Sequence, residues 1–151
     1  MEQAPPRAPV AIGVRFGWDQ EAQGEVLGGQ IHVPVTRNGT FEVIPSAEMV
    51  FLTGTKDYQY NLDAAYVPGG LRGGLMLGAG VGWRDSALGG SLTEPRTTYF
   101  GYNAFLGVLT NLGPLKLELG LRWTFLNDTV LQPNSATFGL NLPLWSARPQ
   151  G

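Results

Sequence analysis

The sequence predicts an all-β fold, an eight-stranded antiparallel up-and-down transmembrane β-barrel, and three observations carry that prediction. Segments of strict two-residue alternation recur along the chain, separated by Gly, Pro, Asn or Asp. The face opposite the apolar one is lined mainly by glycine with a few charges of balanced sign. Charged residues make up 15% of the chain, against about a quarter in an ordinary soluble domain, which is a poor recipe for a water-facing surface.

Taken in order, the apolar sets are Val10, Ile12, Val14, Phe16 and Trp18 for the first strand, Leu27, Ile31, Val33 and Val35 for the second, and Phe41, Val43, Ala47, Met49 and Phe51 for the third. Tyr60, Leu62, Ala64 and Tyr66 mark the fourth, and Leu75, Leu77, Ala79, Val81 and Trp83 the fifth. The sixth runs through Phe100, Tyr102, Ala104, Leu106 and Val108, and the seventh from Leu115 to Phe125 on odd positions. The eighth is "ATFGLNLPLW", where Phe138, Leu140, Leu142 and Leu144 alternate with Thr137, Gly139, Asn141 and Pro143. The barrel is expected over residues 9–145, with a proline-rich flexible leader over 1–8 and a tail, "SARPQG", over 146–151.

The complementary face decides which way the strands look. In a soluble barrel its glycines would sit in water and only weaken the strands. Pointing into a narrow barrel, they make room for long side chains that cross the lumen. The charges on this face, Arg15, Arg84, Lys116 and Arg122 against Glu42, Glu48, Asp63 and Glu118, are four of each sign. Burying an unpaired charge costs several kcal/mol, so a balanced inward set is what an enclosed polar core requires. The leucines of the last strand then face lipid.

Connections carry a second signal. "TRNGT", "VPGGLRGG" and "TNLGP" are short, whereas "DQEAQGE", "TGTKD", "DSALGGSLTEPRT" and "NDTVLQPNS" on the other rim include the two longest. Short periplasmic turns and longer outer loops are the asymmetry of outer-membrane barrels. Asn38-Gly39 would ordinarily give a two-residue hairpin, but that register puts Val35 and Glu42 on one face. A three-residue loop with left-handed Gly39 and a bulge restores parity, pairing Gln30 with Ser46 and Gly28 with Glu48. A four-residue turn over 111–114 would set Asn103 opposite Arg122 and Phe105 opposite Gly120. Pro34, Pro45 and Pro143 lack a ladder donor and fall toward the short-turn rim, with Pro45 the least comfortable.

Several function classes are excluded or left unsupported. A net charge of −2 with no Lys/Arg cluster argues against nucleic acid. No cysteine and a single histidine leave no His/Cys metal cluster, and no motif supports a metal, nucleotide or haem cofactor. The start, "MEQAPPRAP", lacks the apolar stretch of a signal peptide, so an exported chain would have had its signal removed.

Trp18, Trp83, Trp123 and Phe125 fall at loop-side strand ends and Phe41, Tyr66 and Trp145 at turn-side ends, as two aromatic girdles at headgroup level. With these features the sequence resembles the small eight-stranded outer-membrane barrels of the OmpA/OmpX/OmpW type. The last strand carries the most specific match: a polar residue, a glycine two later, and hydrophobics three and five after the glycine, met by Thr137, Gly139, Leu142 and Leu144. The resemblance implies a bacterial outer-membrane location, membrane lipids as surroundings, and recognition of that last strand by the barrel-assembly machinery.

Eight strands enclose an interior that side chains just fill, so a wide aqueous pore is unavailable. The expectation is a non-catalytic barrel with a plugged polar lumen, serving as an anchor or presenting loops, "DSALGGSLTEPRT" above all, to an extracellular ligand. Three alternatives stay open: a narrow channel for small hydrophobic solutes, lined by Ile44, Val50, Leu52, Met76 and Phe105; a lipid A-modifying enzyme using His32, Ser46 and Glu48; and a soluble lipocalin-like barrel.

Overall fold

The computed structural model describes residues 8–20, 23–52, 55–86, 97–127 and 134–144. Eight antiparallel strands, β1 (Ala11–Asp19), β2 (Gly24–Pro34), β3 (Phe41–Leu52), β4 (Thr55–Tyr66), β5 (Gly74–Ser86), β6 (Thr97–Leu112), β7 (Leu115–Leu126) and β8 (Asn134–Pro143), pair in sequence order. β8 returns to β1, so the sheet closes and leaves no unpaired edge. Opposite partners of Arg15 lead one way through Gly28, Glu48, Gln59 and Arg84 to Tyr99 near the start of β6. The other way they lead through Gly139 and Glu118 to Leu109 near its end. That stagger tilts the strands as a narrow closed barrel requires.

The alternation resolves as expected. Ile12, Val14, Phe16 and Trp18 are each exposed by 45% or 46%, and Leu119 by 59%, while their inward neighbours Arg15, Arg84 and Arg122 retain 2%, 1% and 6%. The apolar ring runs round the whole barrel. A monomer in water rarely exposes a contiguous apolar patch beyond a few hundred Å².

The hairpins explain the registers. Gln30 faces Ser46 and Gly28 faces Glu48, and Gly39 has φ 77°. The connection is wider than three residues, however: the last ladder pair is Pro34 with Glu42, and the Val35 N–H donates to the Phe41 carbonyl at 2.8 Å. Side chains take over the turn, since the Phe41 N–H donates to Thr36 Oγ1 and the Thr40 N–H to Asn38 Oδ1, each at 3.1 Å. Pro45 leaves a gap in the β2–β3 ladder at Ile31 and His32 without shifting its register.

The four-residue turn expected over 111–114 is not what forms. Leu112 pairs with Leu115, so Gly113 and Pro114 alone make the turn. Gly113 has φ 59°, and proline holds the second central position, a type II′ pattern that suits a two-residue hairpin. Consequently Asn103 lies opposite Thr124 and Phe105 opposite Arg122. The Phe105 ring does cover a glycine, but it is Gly78 on β5.

The rims also differ from expectation in detail. Only residues 53–54 separate β3 from β4, while the supposedly short β4–β5 connection folds a 3-10 turn over Gly70–Arg72. The contrast in length therefore rests on 87–96 alone, since the β7–β8 connection, 127–133, is no longer than the β4–β5 one, 67–73. Ala8, the last residue of the expected leader, is buried, and its N–H donates to the Arg37 carbonyl at 2.7 Å. Inside, Ile44, Ala65, Val67, Met76, Phe105 and Leu109 form an apolar cluster toward the turn rim.

Candidate functional site

Among the described residues the buried polar side chains line the lumen, because alternation sends every second residue inward and the glycines leave space there. At the loop side, Arg84 on β5 reaches across the bore. Its Nη1 donates to Asp19 Oδ2 on β1 and to Gln59 Oε1 on β4, both at 2.9 Å, and its Nε donates to Asp57 Oδ2 at 3.2 Å. Strands far apart in sequence are thereby tied through one guanidinium.

Below it, Arg122 Nη1 donates to Asp63 Oδ2 at 2.7 Å, and its guanidinium carbon lies 5.1 Å from the Phe105 ring centre. Asn103 Nδ2 donates to Asn61 Oδ1 at 2.9 Å and to Asp63 Oδ1 at 3.1 Å, and its Oδ1 accepts from Thr124 Oγ1 at 2.9 Å. Asn61 Nδ2 in turn donates to Ser46 Oγ at 3.1 Å. These amides carry the link between charged pairs, although two buried donors, Arg15 Nε and Arg84 Nη2, meet no acceptor among the described residues.

On the β1–β2 and β7–β8 wall, Arg15 pairs with Glu48 and donates to Gln30 Oε1. Gln30 Nε2 donates to Glu118 Oε2 and Asn141 Oδ1, both at 2.8 Å. His32 sits between two carboxylates, Nδ1 at 2.8 Å from Glu42 Oε2 and Nε2 at 3.2 Å from Glu118 Oε2. Gly139, opposite both Arg15 and Glu118, makes this crowding possible: a side chain there would meet Gln30 Nε2 and Glu118.

Of the expected lumen set, Arg15, Glu42, Glu48, Asp63, Arg84, Asn103, Glu118 and Arg122 are buried together. Lys116 is half-buried near the turn rim, and among the described residues no ion pair engages its ammonium. Sequence reasoning missed Asp19 and Asp57 because it left both in connections. Parity could have found them, since Asp19 follows outward Trp18 and Asp57 lies an even step from inward Gln59 and Asp63. Gln30, Gln59, Asn61, Thr124 and Asn141 fell within expected strands but were not in the expected polar set, and all are buried on the inward face.

Trp18, Trp83, Trp123 and Phe125 are exposed on the outer face, as are Phe41 and Tyr66, whose rings lie 5.1 Å apart. Trp83 meets Phe100 edge-on at 5.5 Å. Trp145 lies outside the described residues, as does most of "DSALGGSLTEPRT". Leu142 and Leu144 face outward while Thr137 is half-buried and Gly139 buried. Ile44, Met76 and Phe105 are inside in the turn-side cluster, and Val50 is buried apart from it opposite Val26. Leu52 falls in β3, but its side chain is outside the described set.

His32, Ser46 and Glu48 do not assemble as a nucleophile, base and orienting acid. Ser46 accepts from Asn61, Glu48 is held by Arg15, and both His32 nitrogens face carboxylates. Among the described residues no group of three His, Cys, Asp or Glu side chains could hold a metal ion.

A closed eight-strand barrel, apolar outside and ion-paired inside, can be compared with solved structures. The N-terminal β-barrel domain of Pseudomonas aeruginosa OprF superposes with a TM-score of 0.74 at 17% identity, covering 91% of this chain and 98% of that one. The fold is shared with outer-membrane barrels. Neisserial surface protein A (NspA) gives 0.59 at 14% identity, over 89% of this chain and 94% of its own. The Yersinia pestis outer membrane protein Ail gives 0.51 at 14% identity, over 89% and 99%. No family model and no curated sequence matches the chain.

Proposed function

We propose that the chain is an integral protein of the bacterial outer membrane, a barrel with a side-chain-filled lumen that serves as an anchor or surface-contact element without catalysis. The observation that carries this reading is the inversion of polarity: large apolar side chains ring the outside while Arg15, Arg84, Arg122 and their carboxylates are buried. In hydrocarbon every backbone polar group must be paired internally, which a closed ladder provides. The exposed aromatics at the two ends of the apolar band would sit at headgroup level, with Trp145 completing the turn-side girdle. Thr137, Gly139, Leu142 and Leu144 would present the terminal strand to the barrel-assembly machinery. The loops, including residues 87–96, would meet any extracellular ligand.

The lumen reading rests on the ion pairs that cross the bore, which a passing solute would have to break and desolvate. Liposomes containing the refolded barrel should release neither ions nor small apolar solutes. Leakage of apolar solutes alone would favour the narrow hydrophobic channel. The membrane reading has its own test: the protein should be insoluble in plain buffer and show heat-modifiable electrophoretic mobility after refolding into detergent. A chain that stays dispersed in buffer would be a soluble ligand-binding barrel.

A further inference from the structure

The β4–β5 connection does something that a simple turn would not. Its first residue, Val67, is 1% exposed and joins Ile44, Ala65, Met76, Phe105 and Leu109 inside the barrel. The Val67 N–H donates to the Thr40 carbonyl at 2.7 Å, so the segment is pinned to the β2–β3 turn. The chain then folds tightly, with the Gly70 N–H donating to the Val67 carbonyl at 2.9 Å and the Gly73 N–H to the Gly70 carbonyl at 3.1 Å.

Its glycines are placed where nothing else fits. Gly70 has φ 55° and lies against the Asn38 carbonyl, and Gly73 has φ 76° and lies 2.7 Å, measured from where a Cβ would be, from the Leu109 carbonyl. A left-handed backbone disfavours side chains, and these approaches exclude them. The segment thus leans on the β2–β3 turn at one end and on β6 at the other. The same β2–β3 turn also holds Ala8 on the Arg37 carbonyl, and the Glu42, His32 and Glu118 knot begins beside it at Glu42, the ladder partner of Ala65.

We infer that residues 67–73 form a glycine-jointed flap that closes the turn-side mouth of the lumen, with Val67 as its stopper. The inference rests on the closed-lumen reading and adds the place where access is controlled. The flap is held mainly by apolar contact, one backbone hydrogen bond to Thr40 and glycine-permitted close approach. The polar network deeper in the lumen is a separate barrier. Opening the flap should therefore admit water and small reagents to the level of Ser46 without making a through-pore.

The chain has no cysteine, so a single thiol reports cleanly. In detergent-refolded protein, Ser46→Cys should react slowly with a small charged maleimide. Adding Val67→Asp, which puts a carboxylate into the apolar cluster, should speed labelling by at least about tenfold as the segment opens locally, while heat-modifiable mobility is kept. The trimmed pair Val67→Ala with Met76→Ala should act the same way and replaces Val67→Asp if that variant does not refold. Unchanged labelling in folded variants would overturn the flap. Ser46→Cys labelling at the rate of an exposed control such as Arg72→Cys, with Val67 intact, would also overturn it. Solubility without detergent would instead defeat the membrane reading and leave the labelling comparison standing.

Discussion

Arg15 shows how much a single lumen residue holds. It pairs with Glu48 and donates to Gln30, which in turn bonds Glu118 and Asn141. Replacing it by Met leaves Glu48 buried without its cation, an arrangement that costs about 3–5 kcal/mol when one partner of a buried pair is removed. Urea unfolding of Arg15→Met in lipid vesicles should show that loss, and the double variant Arg15→Met with Glu48→Met should recover most of it. If the single and double variants are equally unstable, packing rather than charge is what Arg15 supplies. Gly78 tests the opposite requirement. A methyl there would overlap the Phe105 ring, which also stacks under Arg122, so Gly78→Ala should destabilise by about 1–3 kcal/mol as an overpacked site. Adding Phe105→Leu should relieve the ring's share of that loss but not the contact with the Ala64 carbonyl, 2.7 Å from where the methyl would sit, as read by the same unfolding curve.

The strands were legible because a period of two survives any neighbour, yet their mutual registers were only partly so. For β2 and β3, parity forbade the two-residue turn and left the correct register as the first option that kept Val35 and Glu42 on opposite faces. For β6 and β7, a shift by two residues keeps every side chain on its face, so alternation could not distinguish the expected pairing from the observed one. Only the Gly113-Pro114 turn decides it, and Gly113→Val should therefore weaken the hairpin, measured as slower refolding into detergent. The interior partners were still less legible, because Arg84 with Asp19 and Arg122 with Asp63 meet across the bore and depend on the stagger of the whole barrel. Pro45 offers a cleaner element test. It faces outward on β3 and breaks the ladder to β2 at Ile31, so Pro45→Val should restore a donor and a residue that suits strands, and stabilise by about 1 kcal/mol. A fall in the urea midpoint would mean that the proline's fixed φ, not the missing donor, dominates there.

At the scale of the molecule, closure and inversion depend on each other. Closing eight strands removes unpaired edges and leaves an interior about as wide as side chains can fill. Glycines such as Gly78 and Gly139 then let long charged residues fill that core in pairs. Sequence alone conveyed this polarity, since the charges on the inward face and their scarcity elsewhere needed no coordinates. The expected balance of four against four did not hold, because Asp19 and Asp57 bring the buried acids to six against three arginines and His32. The flap at Val67 depended on a connection that looked like an ordinary glycine-rich turn. The most direct measurement is the environment of spin labels at Leu62→Cys and Leu119→Cys, outward positions on β4 and β7, in bilayers. Both labels should relax readily with lipid-soluble oxygen and poorly with a water-soluble nickel chelate. The reverse preference at both sites would place the apolar face in water and rule out a lipid-facing barrel exterior.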